Sequence, residues 1–384
     1  MSIIKLPLRV IACLEHRGGS LLKKYKVQSA YKLHQFGLQF IVKKDWHSGR
    51  ATKSSHLSDP ENKGERQKGI NFDTLGSWNS RIEMTIDIEK SIQKGSLIPE
   101  IPLDDVGTAS LLGRRKVNED RFSIEQISDD LLYFAIFDGH GGATAVDFVQ
   151  AYIQHHISHW LSRTTDLSEV LRNSFIDVNN LLTRHLFFFN DVSNGSTGTT
   201  ATVCLLRNNI ELVIGHVGDS RAILCRECEA LRLSHDHTPD DPEECGRIKK
   251  AGGTITENSL GVPHVNGRLT MTRSIGDIEL KAFGVTAEPH IRSIRVSHGR
   301  DSFLILTTDG VSFVLSDQEL MDIVTSCRTP TEAAKFVTDQ ALQFGSEDNS
   351  TAVVIPFGAW GKYQNTTRSI PYSFGRNLSS NRYR

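Results

Sequence analysis

The order of apolar runs and helical periodicities predicts a layered α+β domain, with antiparallel strands and helices gathered in separate groups. Two observations lead there. Strand-length apolar segments follow one another across short polar links such as Arg207-Asn208-Asn209, a spacing suited to antiparallel hairpins. Segments with 3.6-residue periodicity come in groups of their own and do not alternate strictly with strands. At 384 residues the chain can bury a sizeable core.

Taken in order, Phe122–Gln126, Leu131–Asp138, Thr199–Leu206, Ile210–Val217, Ala222–Arg226, Ser302–Thr308 and Ser350–Pro356 read as strands. Leu131–Asp138 is an unbroken apolar run of the kind found in strands buried on both faces. Ala143–Leu161 reads as a helix because Val146, Val149, Ile153, Ile157 and Trp160 recur at intervals of 3, 4, 4 and 3. Asp166–Phe187 and Thr331–Phe344 are helical too, and Asp317–Thr325 follows an N-cap at Ser316.

Composition divides the chain into four regions. Residues 1–57 hold eleven Lys and Arg against two acids, a formal +9 inside a chain whose net charge is −1. This basic, acid-poor stretch, interleaved with Leu6, Leu8, Ile11 and Leu14, matches a transit peptide and predicts residence in the mitochondrial matrix. Residues 58–100 read as a linker and extension, in which Ile70–Ile82 is a candidate docking stretch. Residues 101–358 form the folded domain, and the basic, Ser- and Asn-rich residues 359–384 are expected to be disordered.

No apolar run approaches the roughly 18 residues a membrane span needs. No folded aromatic-plus-basic module accompanies the charge, so nucleic acid is not an expected partner. Six cysteines in so long a chain read as reduced thiols, and Cys225 and Cys228 lack the second pair that a zinc site requires. His155 and His159 stand at i, i+4 but among polar neighbours, which reads as a solvated helix face.

The functional signal lies in acids at strand ends. LLYFAIFDGHGG stops at Asp138-Gly139-His140, and Asp219, Asp277, Asp309 and Asp348 recur in similar contexts, with Glu119-Asp120 upstream. Acids crowded at a sheet edge repel one another and are costly to desolvate unless cations neutralise them. Oxygen donors without Cys or His select Mg²⁺ or Mn²⁺ over zinc. Two such ions sharing a carboxylate would activate a water for attack on phosphorus. Arg115, four residues before Glu119 and on the same face if that segment is extended, suits bidentate phosphate capture.

RKVNED, FDGHGG, GTTA (Gly198–Ala201), VGDSR, DHTP (Asp236–Pro239), GRLTMTRSIGD, TTDG and EDNS stand in the order found in metal-dependent type 2C Ser/Thr protein phosphatases, which the chain resembles over 101–358. The resemblance implies a four-layer αββα sandwich of two antiparallel sheets flanked by antiparallel helices. It implies a first metal on Asp138 and the Gly139 carbonyl, and a second on Asp138, Asp309 and Asp348. Glu119 and Asp120 would hold waters around the metals, Arg115 would bind the phosphate, and His140 would protonate the leaving oxygen.

Asp219 would contribute to a third, weaker ion, although its usual partner position is occupied by Phe313. FGAWGKY (Phe357–Tyr363) and the basic N-terminus narrow the resemblance to the matrix branch of the family. That branch implies a phosphoprotein substrate, the E1 and E2 components of the branched-chain 2-oxo-acid dehydrogenase complex. The competing expectations are a different phosphoprotein substrate or a non-catalytic scaffold for such a complex. Retention of the core acids and Arg115 gives the scaffold no support.

Overall fold

The computed structural model describes residues 98–188 and 196–364. The expectations for residues 1–57, for most of 58–100 including Ile70–Ile82, and for 365–384 lie outside the described residues. Strands β1 (Gly107–Leu111), β2 (Asp120–Ser128) and β3 (Leu131–His140) lead into helices α1 (Thr144–Leu161) and α2 (Leu167–Phe188). Next come β4 (Gly198–Thr199), β5 (Ala201–Arg207), β6 (Glu211–Val217), β7 (Arg221–Arg226) and β8 (Glu229–Arg232). They are followed by α3 (Pro242–Lys250), β9 (Ile255–Glu257), β10 (Pro263–Val265), β11 (Ile275–Gly276), α4 (Ile278–Lys281), β12 (His290–Arg295) and β13 (Asp301–Thr307). The described chain closes with α5 (Asp309–Ser312), α6 (Asp317–Ser326), α7 (Pro330–Gln343) and β14 (Ser350–Pro356).

Strands β9 and β10 pair apart as a two-stranded ribbon, and the other strands build two large antiparallel sheets, as expected. One runs β1-β14-β13-β7-β8; the other runs β11-β4-β3-β5-β6-β12, with β2 on the free side of β3. Side chains alternate across a strand, so each central strand feeds two cores. In β3, Phe134 and Ile136 face the other sheet, while Tyr133, Ala135 and Phe137 meet α1 and α2. In β13, Leu304 and Leu306 enter the inter-sheet core, while Phe303 and Ile305 pack under α6 and α7. Helices, sheet, sheet and helices therefore stack in four layers. Removing a side chain such as the fully buried Phe134 from water contributes about 1.5–3 kcal/mol.

Local chemistry sets the boundaries. Asn208 and Asn209 both have φ above 50°, and Ile210 N–H donates to Arg207 O at 3.0 Å, giving the tight hairpin that joins β5 to β6. Ser316 and Glu319 cap α6 reciprocally, and Thr329 caps α7 ahead of Pro330. The span Thr199–Leu206, expected as one strand, is broken at Thr200 into β4 and β5, because β4 leaves β5 to bridge β3 and β11.

The folded body also continues past residue 358. Trp360 is buried in the outer core, its indole N–H donates to Arg328 O at 3.2 Å, and Gln364 donates to Cys327 O at 2.8 Å. An aromatic with a polar handle explains why residues 359–364, expected to be disordered, fold onto the domain.

Residues 240–285 form an excursion with its own small core of Ile248, Val265, Leu269, Met271, Leu280 and Val285. Its anchor is the buried carboxylate of Glu244. Glu244 accepts from Arg247 at 2.5 and 2.7 Å, from Arg273 at 2.7 Å and from the Thr272 hydroxyl at 2.5 Å. No helix among the described residues is long and apolar enough to cross a membrane.

Candidate active site

Register brings the strand-end acids to one edge of the sandwich. Asp120 pairs with Asp138 across β2 and β3, Asp219 lies in the turn between β6 and β7, and Asp309 follows β13 by two residues. Asp348 precedes β14, which runs beside β13. A cleft of about 520 Å³ opens there, lined by Arg115, Glu119, Asp138, Gly139, His140, Asp277, Asp309 and Asp348 among others. Rims of Lys116, Val117, Arg268, Leu269 and Met271 flank it.

Asp138 carries the heaviest electrostatic load. Burial, then the charges of Asp309, Asp120, Asp219 and Asp348, hold its carboxyl well above the usual range. Burial pushes Asp120 up to about 7, with hydrogen bonds from the Thr351 and Thr308 hydroxyls opposing the rise. Burial and Asp309 push Asp219 up to about 7 as well, and Asp309 is raised by burial and Asp348. Without cations, burial and mutual repulsion both disfavour the ionised forms of these acids.

The donor set fits hard divalent cations. It is all oxygen, it is anionic, and one carboxylate oxygen each of Asp120 and Asp219 is buried without a hydrogen-bond partner. Among the described residues no three His, Cys, Asp or Glu side chains close into a tight cage. The acids instead surround an open cleft, which a substrate oxygen can enter.

Gly139 is fixed by close approach. A Cβ there would lie 2.8 Å from both Glu119 O and the Val146 side chain, while the Gly139 N–H donates to Glu119 O at 3.2 Å. The carbonyl of Asp138 is held by Thr200 N–H at 2.9 Å and the Thr199 hydroxyl at 3.0 Å.

Arg115 lies beside the acids, by a different route from the one expected. Residues 112–119 are bent, not extended, so Arg115 does not share a strand face with Glu119. Its Nη2 donates to Asp348 Oδ2 at 2.5 Å, and the guanidinium remains mostly exposed to the cleft. Glu119 Oε2 accepts from Gly142 N–H at 3.4 Å.

Sequence reasoning gave no role to the residue that holds this loop. Asn349 accepts from Glu119 N–H at 2.8 Å and donates to Leu112 O at 2.8 Å and to Val117 O at 3.2 Å. The Asn of EDNS was its only sequence signal. Thr308, which holds Asp120 at 2.9 Å, was likewise signalled only as part of TTDG, and Thr351, at 2.7 Å, gave no signal.

His140 Nε2 stands 2.8 and 3.0 Å from the two Asp277 oxygens. Burial opposes a charged ring, but the charge and hydrogen bond of Asp277 prevail and raise its pKa above the ordinary value. Asp277 is shifted the other way: burial is outweighed by His140, and its pKa falls. Phe313 is 68% exposed and offers no ligand beside Asp219. His155 and His159 are exposed, as expected, and burial pushes the Cys225 thiol up to about 12, so it is an inert neutral thiol.

A family profile described as Protein phosphatase 2C matches residues 105–350. The chain is 49% identical over 309 residues to "Protein phosphatase 1K, mitochondrial" of Xenopus laevis, covering 80% of this chain and 82% of that protein. It is 36% identical over 229 residues to "Probable protein phosphatase 2C 17" of Arabidopsis thaliana, covering 60% and 79% of the two chains. A crystal structure of serine-threonine phosphatase 2C from Toxoplasma gondii superposes with a TM-score of 0.59 at 24% identity, covering 66% of this chain and 94% of that one. A C. elegans sex determining protein superposes with a TM-score of 0.62, also at 24% identity, covering 70% and 67%. At that identity the two structures speak for the fold alone.

Proposed function

Because this chain belongs to the protein phosphatase 2C family and is a serine/threonine protein phosphatase, we propose that its cleft hydrolyses phosphoserine or phosphothreonine esters on a protein of the mitochondrial matrix. The observation that carries this reading is the buried, mutually repelling carboxylate cluster beside the Arg115 guanidinium.

The family depends on Mn²⁺ or Mg²⁺. Here Asp138 and the Gly139 carbonyl would hold one ion, and Asp138, Asp309 and Asp348 a second. Asp219 would contribute to a third, held loosely because Phe313 supplies no oxygen. Glu119 and Asp120 would hold water around them. Bound ions supply neutralising charge and lower the pKa of water so that it can attack phosphorus.

The remaining work falls to the chain's own side chains. Arg115 turns its planar fork from Asp348 to two phosphate oxygens, which fixes the phosphorus for in-line attack. Asn349 keeps the Arg115 loop seated while this happens. His140, whose charged form Asp277 favours against burial, gives its proton to the serine or threonine oxygen as that oxygen departs. Oxygen leaving as an alkoxide would otherwise be a poor leaving group.

The substrate this reading assigns is the branched-chain 2-oxo-acid dehydrogenase complex, with its E1 and E2 components as partners. Dephosphorylation would activate the complex and promote branched-chain amino-acid catabolism. FGAWGKY, the +9 N-terminus and the mitochondrial name of the Xenopus relative support this reading. Mn²⁺-dependent release of phosphate from phosphorylated E1 is its test, with chelated enzyme inactive. Arg115→Ala should raise KM roughly 10- to 100-fold, as loss of a charged bidentate contact does, and Arg115→Lys should recover only part. Equal kinetics for wild type and Arg115→Ala would remove Arg115 from the phosphate site.

The matrix address has its own test. Replacing Arg9, Arg17, Lys23 and Lys24 with Gln removes positive charge on which the membrane potential acts during import. The variant is expected to remain outside mitochondria on fractionation while retaining phosphatase activity. Full import of the variant would overturn the assignment of residues 1–57.

A further inference from the structure

We propose that Lys116 is a specificity-determining residue that selects phosphopeptides carrying an acidic side chain close to the phosphorylated serine or threonine. This rests on the phosphatase reading above and names the substrate class of that same cleft.

Lys116 is a cation that the cleft leaves uncommitted. Arg114 Nη1 donates to Glu347 at 2.8 Å, and Arg115 Nη2 to Asp348 at 2.5 Å. On a different segment of the rim, Arg268 Nη1 donates to Glu279 at 2.7 Å. Lys116 lines the same cleft, is exposed, and among the described residues makes neither a hydrogen bond nor an ion pair. A peptide whose phosphate is held by Arg115 lies beside the next residue along the chain. What that residue offers is an ammonium without a counter-charge.

The ammonium is presented from a fixed backbone. Asn349 donates to Leu112 O at 2.8 Å and to Val117 O at 3.2 Å, and Arg114 N–H donates to Glu347 O at 3.0 Å. Ties therefore fall on both sides of Lys116. Gly113, at φ 64°, lies so close to the same turn that a Cβ would stand 2.1 Å from Asp348 O. Only the lysine side chain is left to be ordered on binding, which lowers the entropic cost of a contact made through it.

The acids that would repel such a peptide are already answered. Asp138, Asp309 and Asp348 are assigned to cations, Asp277 meets His140 at 2.8 Å, and Glu279 is held by Arg268. A lysine is a compact, hydrated point charge on a flexible stem, so it rewards a nearby carboxylate without demanding one geometry. That suits a filter for the charge around a phosphosite, while the planar fork of Arg115 serves the phosphate itself.

The test uses the full-length, Mn²⁺-loaded enzyme, p-nitrophenyl phosphate and three phosphoserine peptides. The peptides differ only in carrying Asp, Gln or Lys at the second position on each side, where side chains share a face with the phosphoserine in an extended chain. Wild type should favour the Asp peptide over the Gln peptide by about 3- to 5-fold in kcat/KM at low salt, the scale of an exposed ion pair. About 0.5 M NaCl should shrink that preference. Lys116→Gln should abolish it, Lys116→Glu should reverse it in favour of the Lys peptide, and Lys116→Arg, which keeps the charge, should retain it. Arg114→Gln, which removes a cation that has its own acid, should also retain it. A wild type that hydrolyses the three peptides alike, or equal loss of preference in Lys116→Gln and Arg114→Gln, would overturn the assignment and leave the phosphatase reading standing. A wild type inactive on the peptides and on p-nitrophenyl phosphate would overturn both.

Discussion

Asp138→Asn is expected to lower kcat/KM by two orders of magnitude or more and, at the same time, to raise the Tm of the metal-free protein. The first effect follows from losing a carboxylate that would neutralise both cations, a contact strongest when phosphate charge is being redistributed. The second follows from repulsion. Asp138 is held well above the ordinary carboxylate range by burial and four neighbouring acids, so removing its charge relieves the others.

The same cluster sets a pH dependence. Folded Asp120 and Asp219 titrate near 7 against an ordinary 3.8, so between those values the native state binds more protons than the unfolded chain. Stability of the chelated protein is present at low pH and lost as pH rises through 7, by on the order of a few kcal/mol. Thermal melts in chelator from pH 5 to 8 should fall for the wild type and fall less for Asp138→Asn. Saturating Mn²⁺ should flatten both. An unchanged Tm together with unchanged Mn²⁺ affinity in the variant would refute the cluster as a cation site.

Glu244→Ala should destabilise the 240–285 excursion by about 3–5 kcal/mol, the usual cost of removing one partner from a buried ion pair. The carboxylate is 3% exposed and answers two guanidiniums and a hydroxyl, and its removal leaves Arg247 and Arg273 half-buried without a counter-charge. Burial would raise its pKa, but Arg247, Arg273 and Thr272 together hold it far below the ordinary value. Its stabilising contribution is therefore complete above the ordinary carboxylate pKa and is lost as pH falls below it. Hydrogen exchange should report faster opening of residues 242–265 while β3 and β13 stay protected. Uniform exchange across the domain, or a change under about 0.5 kcal/mol, would show that Glu244 is not the anchor.

The central strands were legible because burial on both faces leaves unbroken apolar runs, as in Leu131–Asp138 and Ser350–Pro356. The edge strands were not. β12, HIRSIR, is largely exposed, and β1, GTASL, is only half-buried, so neither carries enough hydrophobic contrast to stand out. Asp138, Asp219 and Asp309 were legible because each follows an apolar run, and Asp348 because it precedes one. Their supports were less so, because Asn349, Thr308 and Thr351 act through hydrogen bonds between segments far apart in sequence. Asp277 shows the middle case: it was visible as an acid, but its partner could be seen only once β4 had joined β3 to β11.

The pairing of β1 with β14 has a consequence for how the molecule comes into being. Gly107 lies opposite Val354, and the contact between Arg115 and Asp348 spans 233 residues. Closing so long a loop is entropically costly, and folds dominated by such distant pairings assemble slowly. A chain emerging from its N-terminus cannot seat β1 until nearly the whole domain has arrived. A chain stopped near residue 345 would leave both β1 and β13 without the strand between them, exposing two sheet edges that invite aggregation. The incomplete chain is therefore most prone to aggregate until β14 arrives, and the last strand to be delivered is the one that completes the catalytic edge.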